Sequence, residues 1–387
     1  MIRITSATPN VKRKHVGISL LYYSPQRLSG AGTYIVGITR GLLARQVHDY
    51  SVFVSKRHER WWRELLSPFS RFIVCGPDPD HRVRRVLYEQ YRLPVVALRH
   101  SVEALFFPHA FSPRWRTPRA FVTVYDLLLL ATGTDFPWYK RLYHRWMYST
   151  LASHAATIVT ISEFCRRDIS AKLRVAASRI TVAPPGVDEE FLATTPGSLV
   201  HPNYEMPERY LLSVAGTYQH KRLDVLLEAF AIVCRDDQNL HLVMAGTHVG
   251  DQNALGKLRT QVIASELSTK VHFLTRLPRN EVPYLFFRAS AFASSSSFEG
   301  FGIPVLEAMA VGCPVAASPA DAVVEVLGGY GWVAHDWTAS ALADVIRIAL
   351  KARVADPDRL ENAKNRAGDT YTWGAAAAAL EETFATD

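Results

Sequence analysis

Short aliphatic and β-branched runs alternate with longer stretches of helical spacing along this chain; the alternation breaks once and then resumes. No other feature narrows the fold as far. Val16 to Leu21, Tyr50 to Val54, Arg71 to Cys75, Ala104 to Phe107, Phe121 to Tyr125 and Thr157 to Ile161 read as strands, with helical patterns such as Thr33 to Arg45 and Tyr139 to Ser153 between them. Beyond the break, Tyr210 to Val214, Leu240 to Ala245, Val271 to Leu274, Ala291 to Ser294 and Val315 to Ala317 repeat the pattern. Strands separated by helices are joined by crossovers, not hairpins, so the expectation is α/β: doubly wound parallel sheets with helices on both faces. The break is Thr194 to Arg209, where Pro196, Gly197, Pro202, Asn203 and Pro207 interrupt any period. It divides the chain into two Rossmann-like domains, 1–200 and 201–369, and 387 residues suffice for two cores. The Ala-rich segment after Gly368-Asp369, residues 370–387, reads as a separate helix that returns to the first domain. Two such domains facing each other would set the carboxyl ends of both sheets around one central cleft, where doubly wound folds bind ligands.

Charge separates the same halves. Residues 1–200 hold 28 Lys and Arg against 14 Asp and Glu, net +14, whereas residues 201–387 hold 16 against 22, net −6. A basic half suits something anionic: nucleic acid, a phospholipid surface or a phosphorylated substrate. Cys75, Cys165, Cys234 and Cys313 are scattered with no Cys-x-x-Cys pair, which argues against a disulfide framework or a structural zinc and fits a reducing cytosol. Lys12-Arg13-Lys14 followed by Val16 to Tyr23 imitates a signal peptide, but the apolar run is short and closes on Ser24-Pro25-Gln26-Arg27, so it reads as the first buried strand. No uncharged apolar stretch is long enough to span a bilayer, and any membrane contact is expected to be peripheral.

The most specific segment runs from Ser297 to Ala310: Ser-Phe-Glu-Gly-Phe-Gly-Ile-Pro-Val-Leu-Glu-Ala-Met-Ala. Gly300 and Gly302 let backbone approach a ligand, and Pro304 suits a helix start, where a missing amide hydrogen costs nothing. The amides near Phe301, Gly302 and Ile303 would point out of that start as an anion or hydroxyl site. Glu299 in the loop and Glu307 in the first turn are eight positions apart, so one carboxylate can reach a ribose diol while the other reaches a sugar hydroxyl.

This segment resembles the Glu-x7-Glu motif of retaining GT-B glycosyltransferases, most closely those of family 4, which transfer a sugar from a nucleotide donor. The resemblance runs from about Val16 to the last helix, through Ser29-Gly30-Ala31-Gly32-Thr33-Tyr34, Ser162-Glu163-Phe164, Pro185-Gly186-Val187-Asp188, Ala215-Gly216-Thr217 with His220-Lys221, and Met244-Ala245-Gly246. It implies a GT-B fold in which a loop at Gly30 and Gly32 approaches the donor phosphates. It further implies that Gly216 and Lys221 bind the donor, Lys221 at the diphosphate, where the family often adds an arginine and this chain instead offers Thr217, His220 and Arg222 as donor-side candidates; Glu307 would serve the ribose, and Glu299 the donor sugar with Gly300 and the amides of Phe301, Gly302 and Ile303. The base would pack near Thr275, Arg276 and Leu277. Many family members carry a His-Asp pair where this chain has Tyr125-Asp126. Asp126 is then the candidate that positions or deprotonates the acceptor hydroxyl, with Tyr125, a poor base at its ordinary pKa, and His109 as further acceptor-side candidates. Asp78-Pro79-Asp80 and Asp356-Pro357-Asp358 read as Pro-containing surface turns. The resemblance implies metal-independent transfer, with the nucleotide-sugar donor as co-substrate and no cofactor.

The glutamate segment looks most like that of mannosyltransferases, which implies GDP-mannose, with UDP-sugars as the alternative. Arg60-Trp61-Trp62-Arg63 and Lys140 to Tyr148 interleave cations with aromatics, which suits either an anionic bilayer or a helix with a buried aromatic face. The expected acceptor is a saccharide or lipid-linked glycan in cell-surface polysaccharide biosynthesis, met by a cytoplasmic protein at the inner face of the membrane. A GT-B nucleotide-sugar epimerase would share the donor site. A noncatalytic nucleic-acid or membrane-binding protein would account for the basic half but not for Lys221 with the glutamate segment, so nucleic acid is not an expected partner.

Overall fold

The apolar run behind Lys12-Arg13-Lys14 is strand β1 (His15–Ser19), with Val16 and Ile18 fully buried. A computed structural model describes residues 12–25, 29–68, 71–111, 114–115, 118–130, 138–155, 157–195, 197, 199–201, 205–274 and 278–386. The chain divides into two units.

In the first unit β1 is followed by α1 (Gly30–Arg45), β2 (Asp49–Val54), α2 (Glu59–Leu66), β3 (Arg71–Val74), α3 (Arg82–Tyr91), α4 (Leu93–Arg99), β4 (Ala104–Phe107), β5 (Arg119–Thr123), α5 (Trp138–His154), β6 (Thr157–Thr160), α6 (Glu163–Leu173) and β7 (Ile180–Val182). All seven strands are parallel in the order β3-β2-β1-β4-β5-β6-β7, so the winding reverses between β1 and β4. The second unit holds α7 (Glu189–Leu192), β8 (Tyr210–Val214), α8 (Leu223–Cys234), β9 (His241–Ala245), α9 (Gln252–Ala264), β10 (Val271–Leu274), α10 (Val282–Arg288), β11 (Ala291–Ser294), α11 (Ile303–Ala310), β12 (Val315–Ala317), α12 (Asp321–Leu327), β13 (Trp332–Val333), α13 (Ala339–Ala349), α14 (Ala352–Ala355) and α15 (Pro357–Thr370). Its parallel sheet has the order β10-β9-β8-β11-β12-β13 and reverses between β8 and β11. Such reversals open a crevice at the carboxyl ends of the strands, the place where this architecture binds ligands. Strands β7 and β13 escape the sequence reading because three and two residues are too few to show a period.

The units part between Gly186 and Val187, ahead of the expected break at 194–209. The reason is local: the Val187 amide donates to the Tyr371 carbonyl at 2.9 Å, and buried Phe191 meets the Phe286 ring at 6.1 Å. These contacts tie the segment to the second unit. Pro196, Pro202 and Asn203, which suggested the break, lie outside the described residues. The last helix, α16 (Trp373–Ala385), belongs to the first unit and packs along α1. Gly37 makes room for it: a Cβ there would sit 2.1 Å from the Trp373 ring. Arg45 also pairs with buried Glu381 at 2.7 Å.

The Arg60 to Arg63 stretch is an ordinary helix with a buried aromatic face. Trp62 is fully buried against Tyr23, and Arg60 and Arg63 pair one turn away with Glu64 and Glu59 at 2.9 and 2.8 Å. Among the described residues no helix is long and apolar enough to cross a membrane.

Candidate functional site

The second unit gathers its chemistry at the β8/β11 reversal. The loop leaving β8 carries Gly216, beside the Val249 carbonyl, then Lys221 and Arg222, which stands in a left-handed conformation (φ 46°) at the start of α8. The loop leaving β11 carries Ser295, Ser296 and Glu299. Ser295 Oγ donates to the Lys221 carbonyl at 2.7 Å, and the Ser297 amide donates to the His220 carbonyl at 2.7 Å, so the two loops are fastened together. Lys221 Nζ and Ser296 Oγ both donate to Glu299 Oε1, at 2.6 and 2.7 Å. Burial alone would raise the Glu299 carboxyl; Lys221, the Ser296 hydroxyl and His220 reverse this and hold it below its ordinary value. Glu299 is therefore an anion at neutral pH, able to accept hydrogen bonds but not to donate one.

Helix α11 begins next to it. Gly302 has φ +105°, a backbone conformation that glycine adopts without strain, and this turns the chain into the helix with Pro304 in its first turn. The amides of Phe301, Gly302 and Ile303 have no acceptor among the described residues. One turn on, Glu307 is almost fully buried, and Arg279 Nη2 stands 2.7 Å from its Oε1 without the alignment of a hydrogen bond. Burial raises the Glu307 carboxyl and Arg279 offsets this only in part. Arg279 is itself held by Asp188, to which it donates at 2.9 Å, and lies 5.0 Å over the Phe191 ring. Spacing within the glutamate segment brings Glu299 and Glu307 to one helix start, but sequence reasoning missed Arg279 and Ser296. Asp188 lay in a quoted motif without a role; its partner is 91 positions away.

Arg276 and Leu277, proposed for the base, lie outside the described residues. In the first unit Gly30 and Gly32 form the first turn of α1 rather than a loop, because Ser29 caps the helix by accepting from the Gly32 amide at 3.2 Å. The acceptor-side candidates follow β4 and β5. Tyr125 is not available as a base: its hydroxyl donates to the Pro108 carbonyl at 2.5 Å, and burial raises its pKa well above the ordinary value. His109 is buried, stacked on Tyr22 at 4.6 Å with Nε2 3.5 Å from Glu89 Oε1, and burial lowers its pKa despite that carboxylate. Asp126 is half-buried and one of its oxygens accepts from the Leu128 amide at 3.0 Å. Of the two Asp-Pro-Asp strings, the first pairs with Arg57 and the second caps α15. No cluster of three or more His, Cys, Asp and Glu able to hold a metal occurs among the described residues.

Residues 28–191 match the family described as Glycosyltransferase Family 4, and residues 201–367 the family described as Glycosyl transferases group 1. Between them the two matches span nearly the whole chain. O-antigen chain mannosyltransferase B of Escherichia coli is 27% identical over 280 residues, covering 70% of this chain and 72% of that protein. The MMP alpha-(1->4)-mannosyltransferase of Mycolicibacterium hassiacum is 27% identical over 410 aligned positions, covering 93% and 95%. The structure is similar to that of Anabaena Alr3699/HepE in complex with UDP-glucose, with a TM-score of 0.71 and 16% identity over 96% of this chain and 99% of that one, a likeness of fold.

Proposed function

The chain is a GT-B glycosyltransferase that belongs to family 4, and from that premise we propose that it transfers mannose from GDP-mannose, with retention, to a saccharide or lipid-linked glycan of the cell surface. As a glycosyltransferase of glycan biosynthesis it takes a nucleotide-sugar donor and a glycan acceptor; the identity of the sugar, its GDP carrier, the stereochemistry and the lipid linkage are our reading. In that reading the enzyme works in the cytoplasm at the inner face of the membrane.

One observation carries the donor side: Glu299 and Glu307, each facing its own cation, stand at one helix start whose first amides have no acceptor among the described residues. Glu307 accepts from the ribose hydroxyls and Glu299 from a sugar hydroxyl, helped by the amides of Phe301, Gly302 and Ile303. When the bond from the anomeric carbon to the diphosphate oxygen breaks, the electron pair leaves with the diphosphate, and Lys221 with Arg222 offsets the charge that gathers there. The acceptor oxygen forms the new bond on the same face of the sugar while its proton passes to the departing diphosphate oxygen, and Asp126 is our candidate for orienting the acceptor hydroxyl. No step requires a metal. The names of the relatives favour mannose, and the UDP-glucose bound to Anabaena Alr3699/HepE favours a UDP-sugar as the second reading.

A panel of GDP- and UDP-sugars tests this by thermal shift, with product analysis by NMR. GDP-mannose should stabilise the protein, be consumed only when an acceptor is present, tolerate a chelator, and give a product with the donor's anomeric configuration. Stabilisation by UDP-sugars alone would replace the donor, inversion would remove the retaining mechanism, and donor consumption without transfer would point to an epimerase.

A further inference from the structure

The α3–α4 segment is inside out. A surface helix normally turns its charges to water and its aliphatic residues to the core. Here Arg85 and Glu89 are buried and paired at 2.7 Å. Val83, Leu87 and Tyr91, four residues apart on the opposite side, are 73%, 52% and 61% exposed. Val95 and Leu98 continue the exposed apolar surface along α4. Helix α5 repeats the arrangement with aromatics: Trp138, Leu142 and Trp146 form one row at four-residue spacing, Tyr139 and Tyr143 lie beside it, and all five are exposed. Ten of the twenty large apolar side chains exposed among the described residues belong to these two segments, a concentration that scattered surface residues do not produce.

The two rows share one face of the first sheet, because Leu93 and Ala97 of α4 and Met147, Tyr148 and Leu151 of α5 bury into the same core. Their charge has one sign. Arg82, Arg84, Arg92, Arg99 and Arg145 are exposed, while the sole acid of residues 82–99 is the inward Glu89 and α5 contains none. Apolar and aromatic side chains flanked by arginines, with no outward carboxylate, complement a surface that is apolar beneath a layer of negative charge.

We propose that α3–α4 and α5 together form a docking face for an anionic lipid bilayer. Its use rests on the reading of a lipid-linked acceptor, but the face itself stands on the burial and charge pattern alone. Docking would bring the first unit to the leaflet that holds such an acceptor.

Co-sedimentation of the full chain with phosphatidylcholine vesicles, with and without a third of phosphatidylglycerol, tests the proposal. Binding to the anionic vesicles is expected, weakened about fivefold by Arg84→Gln or Arg92→Gln and more than tenfold by Leu87→Glu combined with Trp138→Glu. These side chains are exposed, so thermal melting and GDP binding should stay at wild-type values and serve as the folding control. Absence of binding to anionic vesicles, or binding unaffected by the variants, overturns the proposal. So does a result in which the variants dissolve a dimer of this chain or release a protein partner while vesicle binding persists. Transfer to a soluble acceptor without vesicles is scored separately, so a wrong donor or acceptor and a wrong docking face give different failures.

Discussion

Arg279 offers the sharpest test of the donor site, because sequence reading gave it no role. Its guanidinium stands 2.7 Å from the Glu307 carboxylate and 2.9 Å from that of Asp188. Glu307 is nearly inaccessible and burial already raises its pKa; Asp188 is partly exposed and can be solvated if released. Replacing Arg279 by methionine keeps the stem and removes the cation that opposes burial at Glu307. The carboxyl then stays neutral to higher pH. Hydrogen bonds to a charged group contribute about 1.5–3 kcal/mol and neutral ones about 0.5–1.5 kcal/mol, so each ribose bond should weaken by about 1 kcal/mol. Two such bonds amount to about 2 kcal/mol, or roughly thirtyfold in affinity for a nucleoside diphosphate.

Calorimetric titration of GDP against wild type, Arg279→Met, Glu307→Gln and the double variant across pH measures this. Wild-type affinity should fall on acidification, since the anion that accepts the ribose hydroxyls is lost as pH drops through the raised Glu307 pKa. In Arg279→Met the same fall should begin at higher pH, and in Glu307→Gln it should be absent. The double variant should lose little beyond Glu307→Gln alone, because both substitutions remove one function. Binding of Arg279→Met within about threefold of wild type at neutral pH, or losses that add in full in the double variant, would refute the reasoning.

Three further outcomes follow from the contacts of Lys221, Glu299 and Gly37. Lys221→Met leaves the Glu299 carboxylate, 17% exposed, without its cation; the cost in stability should be about 3 kcal/mol by chemical denaturation, and adding Glu299→Gln should restore part of it, whereas losses that add in full in the double variant would show that the pair is not coupled. The depressed Glu299 pKa gives a stabilisation that is complete above the ordinary carboxyl value and is lost as pH falls through the lower folded-state value, so the stability gap between wild type and Glu299→Gln should close in acid; a gap constant with pH contradicts the shift. Gly37→Ala would drive a methyl into the Trp373 ring and cost about 1–3 kcal/mol, read as a lower melting temperature with faster proteolysis at α16; unchanged melting would mean that the helix is not held there.

The parallel sheets were legible because strand and helix each announce themselves by a local period, whereas the strand orders and the two reversals are set by pairing between strands far apart in sequence and come from the structure. Glu299 and Glu307 were legible for the same reason: their relation is set within eight residues by one glycine turn and one helical turn. Arg279 was not, since what gives it a role is the approach of Asp188 and Glu307, 91 and 28 positions away. Gly30 and Gly32 misled because glycines favour loops, and here a serine cap and packing against α16 override that preference. Tyr125 was rightly judged a poor base on its ordinary pKa. The structural reason is stronger, since its hydroxyl is committed to the Pro108 carbonyl.

The positive half of the chain shows most directly where composition stops. In sequence, Glu59 to Leu66 and Arg82 to Arg99 both mix arginines with large apolar residues, and both contain acids one turn from an arginine. On α2 the pairs Arg60–Glu64 and Arg63–Glu59 lie on the accessible side and Trp62 goes inward, so that surface is close to neutral and polar. On α3 the pair Arg85–Glu89 goes inward and Val83, Leu87 and Tyr91 come out. Helical spacing assigns the residues to rows but cannot say which row faces the core, because a row of paired charges can be buried when each finds its partner. The selection is made by the sheet beneath. His109, at the end of β4, lies 3.5 Å from Glu89 and gives the buried pair a polar neighbour that an aliphatic row would lack. A net charge of +14 therefore distinguishes nothing by itself; what matters is that on α3–α4 and α5 the exposed arginines stand among apolar side chains with no outward acid to neutralise them.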